Sequence, residues 1–177
     1  MSFYHHKMLC LPTLLSVLLL TAFSGHTSLR GHFAVDAFGW RGHELTGAVA
    51  QFLLTPYALN QSQQLLDNVA LSKVAPWADS IKRLPQYQWT KTLHYIDPHD
   101  NPPQYCEYVP SRDTPATGSV GTAIMNMTTI LGQWHKDATT VEKTLAADAL
   151  KFLIHFIGDV HQPLHGDSLL LLCSRHK

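Results

Sequence analysis

The chain has 177 residues, of which 45% are hydrophobic, so its length and apolar content predict one domain around a single core. Its 13 basic and 13 acidic side chains cancel. This balance argues against a broad electrostatic grip on nucleic acid and means that any such ligand is held locally. The twelve histidines are many for a chain with 15% charged residues, and neutral imidazole is the commonest metal ligand in proteins. Composition therefore favours a metal site.

Residues 1–37 are predicted to form a signal peptide and leader. An almost uninterrupted apolar run, Met8–Phe23, follows a start that contains two histidines and a lysine. The run has about 16 residues, fewer than the roughly 20 that span a bilayer, although a signal anchor is the alternative. Cleavage after Ala37 would make Phe38 the mature N-terminus. We therefore expect a secreted protein with no stable membrane association.

Two further features fit a secretory route. Asn60 and Asn126 each begin an Asn-x-Ser/Thr sequon, the acceptor pattern for N-glycosylation. Of the three cysteines, Cys10 would leave with the signal peptide. Cys106 and Cys173 would then either pair with each other or stay unpaired, and the sequence does not choose between these outcomes.

Apolar periodicity predicts three helices in the first half of the mature chain. The first covers His43–Leu54, and the second covers Asn60–Ala70. The third covers Val74–Leu84, with Pro76 at an early helical position and Pro85 ending the helix.

The second half is predicted to contain a long ordered loop and two more helices. Thr92–Pro115 is rich in proline, which indicates an irregular loop. Helices are predicted over Ser119–Lys136 and over Val141–Gly158, the latter apolar enough to lie in the core. The predicted fold class is all-α. The last segment, residues 166–177, resembles a truncation or frameshift tail.

The strongest candidate for a metal site is the segment Phe152–His165, which carries three histidines, an aspartate and a proline. His155 and Asp159 are four residues apart, so they share one face of a helix. Pro163 ends or kinks that helix and turns His165 towards a different point. The segment therefore suits two metal ions. The alternative is that these histidines are hydrogen-bonded residues of the core.

Three weaker candidates lie upstream. Asp79 follows an apolar pair that looks buried, and a buried carboxylate needs a partner such as a metal, unless it lies on the helix surface. His94 and Asp97 flank a predicted extended segment. His43 follows Gly42 at a predicted helix start, where a solvent-exposed histidine is the alternative.

Four blocks of sequence, taken in order, resemble the S1/P1 nuclease family. They begin at Phe38, Trp77, His94 and His155, and they read FGWRGH, WAD, HYID and HFIGDVHQPLH. The family is similar in fold to zinc phospholipase C. The resemblance implies a partial nuclease domain over residues 38–165, followed by a divergent tail over residues 166–177.

The resemblance also implies up to three zinc ions. One zinc would be held by four side chains, those of Asp79, His94, His155 and Asp159. A second would be held by His43, Asp159 and the free amine and carbonyl of Phe38, in a place where the family usually has Trp. His165 would be the first ligand of a third, whose other ligands in the family belong to a downstream His-x-x-x-Asp helix that is absent here.

Other residues acquire roles from the same resemblance. Asp97 would be a carboxylate beside the ligands or a catalytic group near the attacking water. Lys82 stands where the family has an arginine that contacts phosphate, and lysine offers a point charge in place of a bidentate fork. The usual cysteine partner of the position of Cys106 also lies downstream in the family.

The resemblance implies a secreted zinc endonuclease that cuts single-stranded DNA and RNA to 5′-phosphate products, with 3′-nucleotidase activity as a further implication. The expected partners are single-stranded nucleic acid or nucleotides, with no protein partner evident. We expect impaired activity because the third site is incomplete. The alternatives are an inactive zinc-binding remnant and a zinc phosphoesterase of the phospholipase C type.

Overall fold

The computed structural model describes residues 38–99, 107–162 and 165. The predicted signal peptide, Cys106, Cys173 and the tail over residues 166–177 lie outside these described residues, and the predictions made for them stay predictions.

The described residues form an all-α arrangement, as the sequence predicts. The helices are α1 (Trp40–Leu53), α2 (Pro56–Leu65), α3 (Leu71–Val74), α4 (Trp77–Ile81), a 3₁₀ helix (Pro85–His94), α5 (Pro110–Asp113), α6 (Val120–Lys136) and α7 (Lys143–His161). None of these helices is both long and apolar enough to cross a membrane.

The second helix differs from the prediction in its bounds. It begins at Pro56, and the Thr55 side chain caps it by accepting a hydrogen bond from the amide of Ala58 at 3.2 Å. After Leu65 the chain turns through Asp67 and Asn68, whose φ angles are 51° and 64°. These left-handed conformations end the helix before the predicted Asn60–Ala70 span is complete.

The predicted third helix, Val74–Leu84, is wrong. The chain forms the short helices α3 and α4 there, and Pro76 occupies the N-cap of α4. Proline has no amide hydrogen to donate, so a continuous helix through this position would lose a hydrogen bond. Pro85 begins the 3₁₀ helix, which ends at His94. The predicted extended segment starts only at Tyr95, with φ −148° and ψ 174°.

The last two helices agree closely with the prediction and build the main core. α6 follows an N-cap at Ser119, whose amide donates to Thr122 Oγ1 at 2.8 Å. α7 ends at His161, beyond the apolar pattern and before Pro163. The core side chains between the helices are Ala78, Ile81, Leu93, Val120, Ala123, Met127, Ala149, Phe152 and Phe156. This core holds α7 in the centre of the described fold.

The irregular loop contains a buried carboxylate. Asp113, at the end of α5, accepts hydrogen bonds from the amides of His99 at 3.0 Å and Val109 at 2.7 Å. The Arg112 guanidinium donates to both of its oxygens, at 2.7 and 2.8 Å, and is the first reason why the pKa of Asp113 lies well below its usual value. Asp113 therefore ties the segment after Asp97 to the start of α5.

Helix α1 has two different faces. One face packs against α3 and α7. At Gly47 the backbones of α1 and α3 are so close that a methyl group on this glycine would lie 2.7 Å from the carbonyl oxygen of Leu71. The opposite face carries Leu45, Val49 and Phe52, which are 65%, 49% and 87% exposed. These three residues, called here the α1 stripe, recur at helical spacing and form an exposed apolar surface.

Candidate metal centre

Histidine and aspartate side chains from four helices meet at one buried point. α1 supplies His43, α4 supplies Asp79, the 3₁₀ helix supplies His94, and α7 supplies both His155 and Asp159. All except Asp79 are almost fully buried. Because each residue sits at a fixed place on a packed helix, the fold, and not a flexible loop, sets the geometry of the cluster.

Asp159 lies at the centre of the cluster and faces two pairs of histidines. Its Oδ2 is 3.0 Å from His94 Nδ1 and 3.2 Å from His155 Nε2. Its Oδ1 is 3.4 Å from His43 Nε2 and 3.6 Å from His165 Nε2. The two oxygens therefore define two neighbouring positions, called here the Oδ2 position and the Oδ1 position.

Asp79 approaches both positions with its own two oxygens. Its Oδ1 lies 3.6 Å from His155 Nε2 and 3.7 Å from His94 Nδ1, while its Oδ2 lies 3.7 Å from His43 Nε2. Lys82 donates to the same Oδ1 at 2.7 Å. The positive charge of Lys82 thus stands directly beside the cluster.

Backbone carbonyls orient two of the imidazole rings. His155 Nδ1 lies 2.7 Å from the carbonyl oxygen of Ala75, and His165 Nδ1 lies 2.6 Å from that of His94. A carbonyl can only accept, so in both rings Nδ1 is assigned the hydrogen. Nε2 then faces the cluster, where its lone pair binds a metal ion once that nitrogen is deprotonated, which is the usual orientation of a metal-binding histidine.

Several buried polar atoms of the cluster have no hydrogen-bond partner among the described residues. They include His43 Nε2, His165 Nε2 and Asp159 Oδ1, the three atoms that define the Oδ1 position. Burying a polar atom without a partner costs about 1–3 kcal/mol. A cation at this position would satisfy all three atoms together, so the arrangement fits a metal ion.

The carboxylates of the cluster are strongly acidic. Burial alone would raise the pKa of Asp159, but the neighbouring imidazoles of His155, His43 and His94 outweigh burial and hold the pKa well below its usual value. The pKa of Asp79 is likewise lowered, because His155 and Lys82 outweigh burial. Both groups are therefore ionised at neutral pH and attract a cation.

The two histidines of the Oδ2 position differ in basicity. Burial lowers the pKa of His94. Burial also acts against charge on His155, but the carboxylates of Asp159 and Asp79, which lie 3.2 and 3.6 Å from its Nε2, overcome this and raise its pKa to about 9.

A cavity of about 590 Å³ begins one residue beyond His94. Its wall includes Tyr95, Asp97, His99 and Ser119. Ile96 ties this wall to the cluster, because its amide donates to the carbonyl oxygen of His165 at 2.8 Å. The exposed Asp97 lies in the cavity, and within the described ranges no hydrogen bond or ion pair joins it to the cluster.

The structure thus brings together most of the residues singled out in the sequence, namely His43, Asp79, His94, His155, Asp159 and His165, with Lys82 beside them. Phe38 is half-buried, and its ring lies edge-on to that of His43 at 6.2 Å. His161, the remaining histidine of the Phe152–His165 segment, is exposed and donates to the carbonyl oxygen of Ile157, outside the cluster.

Sequence reasoning missed three contributors to the cluster. The carbonyl oxygens of Ala75 and His94 orient two histidines, and no sequence signal marks a backbone atom for such a role. Gly158 also goes unnoticed as a contributor, although it stands inside the most informative motif and lies against His43.

A buried cluster of histidine and aspartate donors inside an all-α fold defines a helical protein with a candidate metal centre. The family model for S1/P1 Nuclease matches residues 38–170, and the chain belongs to the S1/P1 nuclease family.

Named relatives agree with this assignment. Nuclease S1 of Aspergillus oryzae is 36% identical over 137 residues, which cover 75% of this chain and 46% of that protein. Nuclease P1 of Penicillium citrinum is 34% identical over 134 residues, covering 74% and 48%. Endonuclease 3 of Arabidopsis thaliana is 36% identical over 135 residues, covering 76% and 42%. The chain spans about half the length of these relatives.

Proposed function

We propose that this chain is a zinc-dependent endonuclease that hydrolyses phosphodiester bonds of single-stranded DNA and RNA to 5′-phosphate products. The observation that carries the proposal is the placement of Asp159, whose two oxygens face two separate sets of histidines. Family membership and the names of the relatives, which are nucleases and endonucleases, support the choice of reaction.

The donor atoms at the Oδ2 position suit zinc. A tetrahedral zinc ion with bonds of about 2.0–2.2 Å separates its ligand atoms by about 3.3–3.6 Å. The four donors are Asp79 Oδ1, His94 Nδ1, His155 Nε2 and Asp159 Oδ2. Five of the six separations between these atoms run from 3.0 to 3.7 Å, so small adjustments would suffice for zinc to bind.

The Oδ1 position offers His43 Nε2 and one oxygen of Asp159. His165, which the resemblance assigns to a third zinc, lies at this same position, with its Nε2 3.6 Å from that oxygen. If a signal peptidase cleaves after Ala37, the new amine and the carbonyl of Phe38 become further ligands there. The edge-on contact between the rings of Phe38 and His43 supports this role for the mature N-terminus. The proposal therefore includes secretion and cleavage of residues 1–37.

Bound zinc would lower the pKa of a coordinated water and neutralise charge on the phosphate during attack. The chain's own residues account for binding and orientation. Lys82, now paired with Asp79, provides a positive charge for a phosphate oxygen. Tyr95, which is exposed in the cavity beside the cluster, offers an aromatic face to an unpaired base. A base stacked inside a duplex could not use this face, which favours single strands.

The test compares the zinc-loaded protein with two aspartate variants of the same helix. Asp159→Asn removes the central carboxylate, whereas Asp148→Asn removes a surface carboxylate that is paired with Lys151. We expect the native protein and Asp148→Asn to cut a single-stranded oligonucleotide and Asp159→Asn to leave it intact. Zinc binding without cleavage of the oligonucleotide would contradict the proposed nuclease activity and favour an inactive zinc-binding protein. Hydrolysis of phosphatidylcholine alone would favour a phospholipase-type activity.

A further inference from the structure

Helix α1 packs against helix α7, and His43 lies against Gly158 in this contact. A methyl group on Gly158 would lie 3.0 Å from His43 Nδ1, 3.0 Å from Thr46 Oγ1 and 3.4 Å from His43 Cε1. Ordinary van der Waals contacts of such a methyl carbon lie between 3.4 and 4 Å. Glycine also weakens the interior of a helix relative to alanine, so helix formation alone does not explain its presence in α7.

His43 has little room to move away from α7. It is fully buried, and its ring stacks on that of His155 with centroids 3.7 Å apart and planes 17° apart. Thr46, the other residue that a methyl group would touch, donates its hydroxyl hydrogen to the carbonyl oxygen of His43 at 2.9 Å. Any displacement of the ring would therefore change the distance from His43 Nε2 to Asp159 Oδ1, now 3.4 Å.

We propose that Gly158 is a positioning residue that acts through His43. Because glycine has no side chain, the His43 ring can lie against α7 and bring its Nε2 to Asp159 at the Oδ1 position. The inference rests on the proposed zinc function. Relieving a contact of 3.0 Å requires a movement of a few tenths of an ångström. Metal sites tolerate deviations of only about 0.2 Å in their ligand distances.

The Oδ2 position should be spared by the same change. His155 is anchored on its far side by the hydrogen bond to Ala75, and the three atoms nearest to a methyl group on Gly158 belong to His43 and Thr46, not to His94. A methyl group at residue 158 should therefore weaken one metal position selectively and leave the other filled.

The experiment titrates zinc into protein purified from a secreting host and counts bound equivalents by elemental analysis. Gly158→Ala is compared with Gly132→Ala, a glycine inside α6 with nothing within 4 Å of the place a methyl group would occupy. We expect Gly132→Ala to bind as the native protein does and Gly158→Ala to bind one equivalent at least tenfold more weakly. When cobalt replaces zinc, the visible absorption of the bound cobalt should show the same weakening of one equivalent in Gly158→Ala.

A second comparison separates positioning of His43 from simple helix packing. In a His43→Ala background the imidazole is gone and only the contact with Thr46 remains, so Gly158→Ala should lower the melting temperature of the metal-free protein by less than it does in the native background. An equal loss of stability in both backgrounds would overturn the proposal, as would unchanged zinc affinity in Gly158→Ala. A native protein that binds no zinc would overturn both this inference and the proposed function, whereas unchanged zinc binding in the variant would overturn this inference alone.

Discussion

His155 donates a hydrogen bond from Nδ1 to the carbonyl oxygen of Ala75 at 2.7 Å, across 80 positions of sequence. This bond determines which ring nitrogen faces Asp159. Since the ring also stacks on His43, His155 links both metal positions.

Replacing His155 with alanine should therefore disturb both positions. We expect His155→Ala to lose at least one equivalent of tightly bound zinc and to weaken the other by tenfold or more, because ligand loss and loss of ring packing act together. His161→Ala, on the exposed side of the same helix, is the matched control and should bind zinc normally. Elemental analysis after dialysis measures the outcome, and equal zinc contents in the two variants would contradict the assignment.

Asp113 should make the loop beside the cavity sensitive to acid. Its pKa is lowered by folding, so its contribution to stability is fully present above its unfolded pKa of about 3.9 and is lost as the pH falls below that value. The free energy of unfolding of the native protein should exceed that of Asp113→Asn at pH 6, and the difference should shrink at pH 3. Urea denaturation of the metal-free proteins measures it. A difference that stays constant between these pH values would show that the carboxylate charge is not the stabilising feature.

Lys82 should affect phosphate binding more than zinc binding. Lys82→Ala removes the ammonium group next to Asp79, and we expect about tenfold weaker binding of inorganic phosphate to the zinc-loaded protein, the size expected for losing one charge-assisted hydrogen bond. Zinc content should not fall, because a competing cation has been removed. Lys73→Ala, which breaks a surface pair with Glu44, is the control for charge alone. Calorimetric titration measures the affinity of both variants for phosphate. An equal loss of affinity in Lys82→Ala and Lys73→Ala would argue against a local role for Lys82.

Two phenylalanines should behave in opposite ways. Phe52, in the α1 stripe, is 87% exposed, so Phe52→Gln should change the free energy of unfolding by less than about 0.5 kcal/mol while reducing the binding of a hydrophobic dye. Phe156 is 1% exposed and stacks on Phe152. Replacing it with alanine should lower the free energy of unfolding by about 3–5 kcal/mol. Denaturation curves and dye fluorescence test this pair. A large loss of stability in Phe52→Gln would mean that the α1 stripe is covered in solution.

The sequence predicts the parts of the site that depend on local spacing. His155 and Asp159 share a helix face because they are four residues apart, and α6 and α7 follow from apolar periodicity. The helices before the cluster are harder to predict, because Pro76 and the left-handed Asp67 and Asn68 interrupt an apolar pattern that continues through them.

Contacts between residues that are far apart in sequence cannot be predicted from local sequence patterns. Nothing local to Ala75 marks its carbonyl as the acceptor for His155, and nothing local to Lys82 shows that it pairs with Asp79 beside the cluster. Gly158 can be seen in its motif, but its close contact with His43 depends on how α1 crosses α7.

The most direct test of the central claim is X-ray diffraction from crystals of the zinc-loaded protein, with anomalous data collected at the zinc edge. We predict two anomalous peaks, one bonded to each carboxylate oxygen of Asp159, with His94 and His155 on one ion and His43 on the other. A map with no peak at Asp159, or with zinc bound only elsewhere, would contradict it.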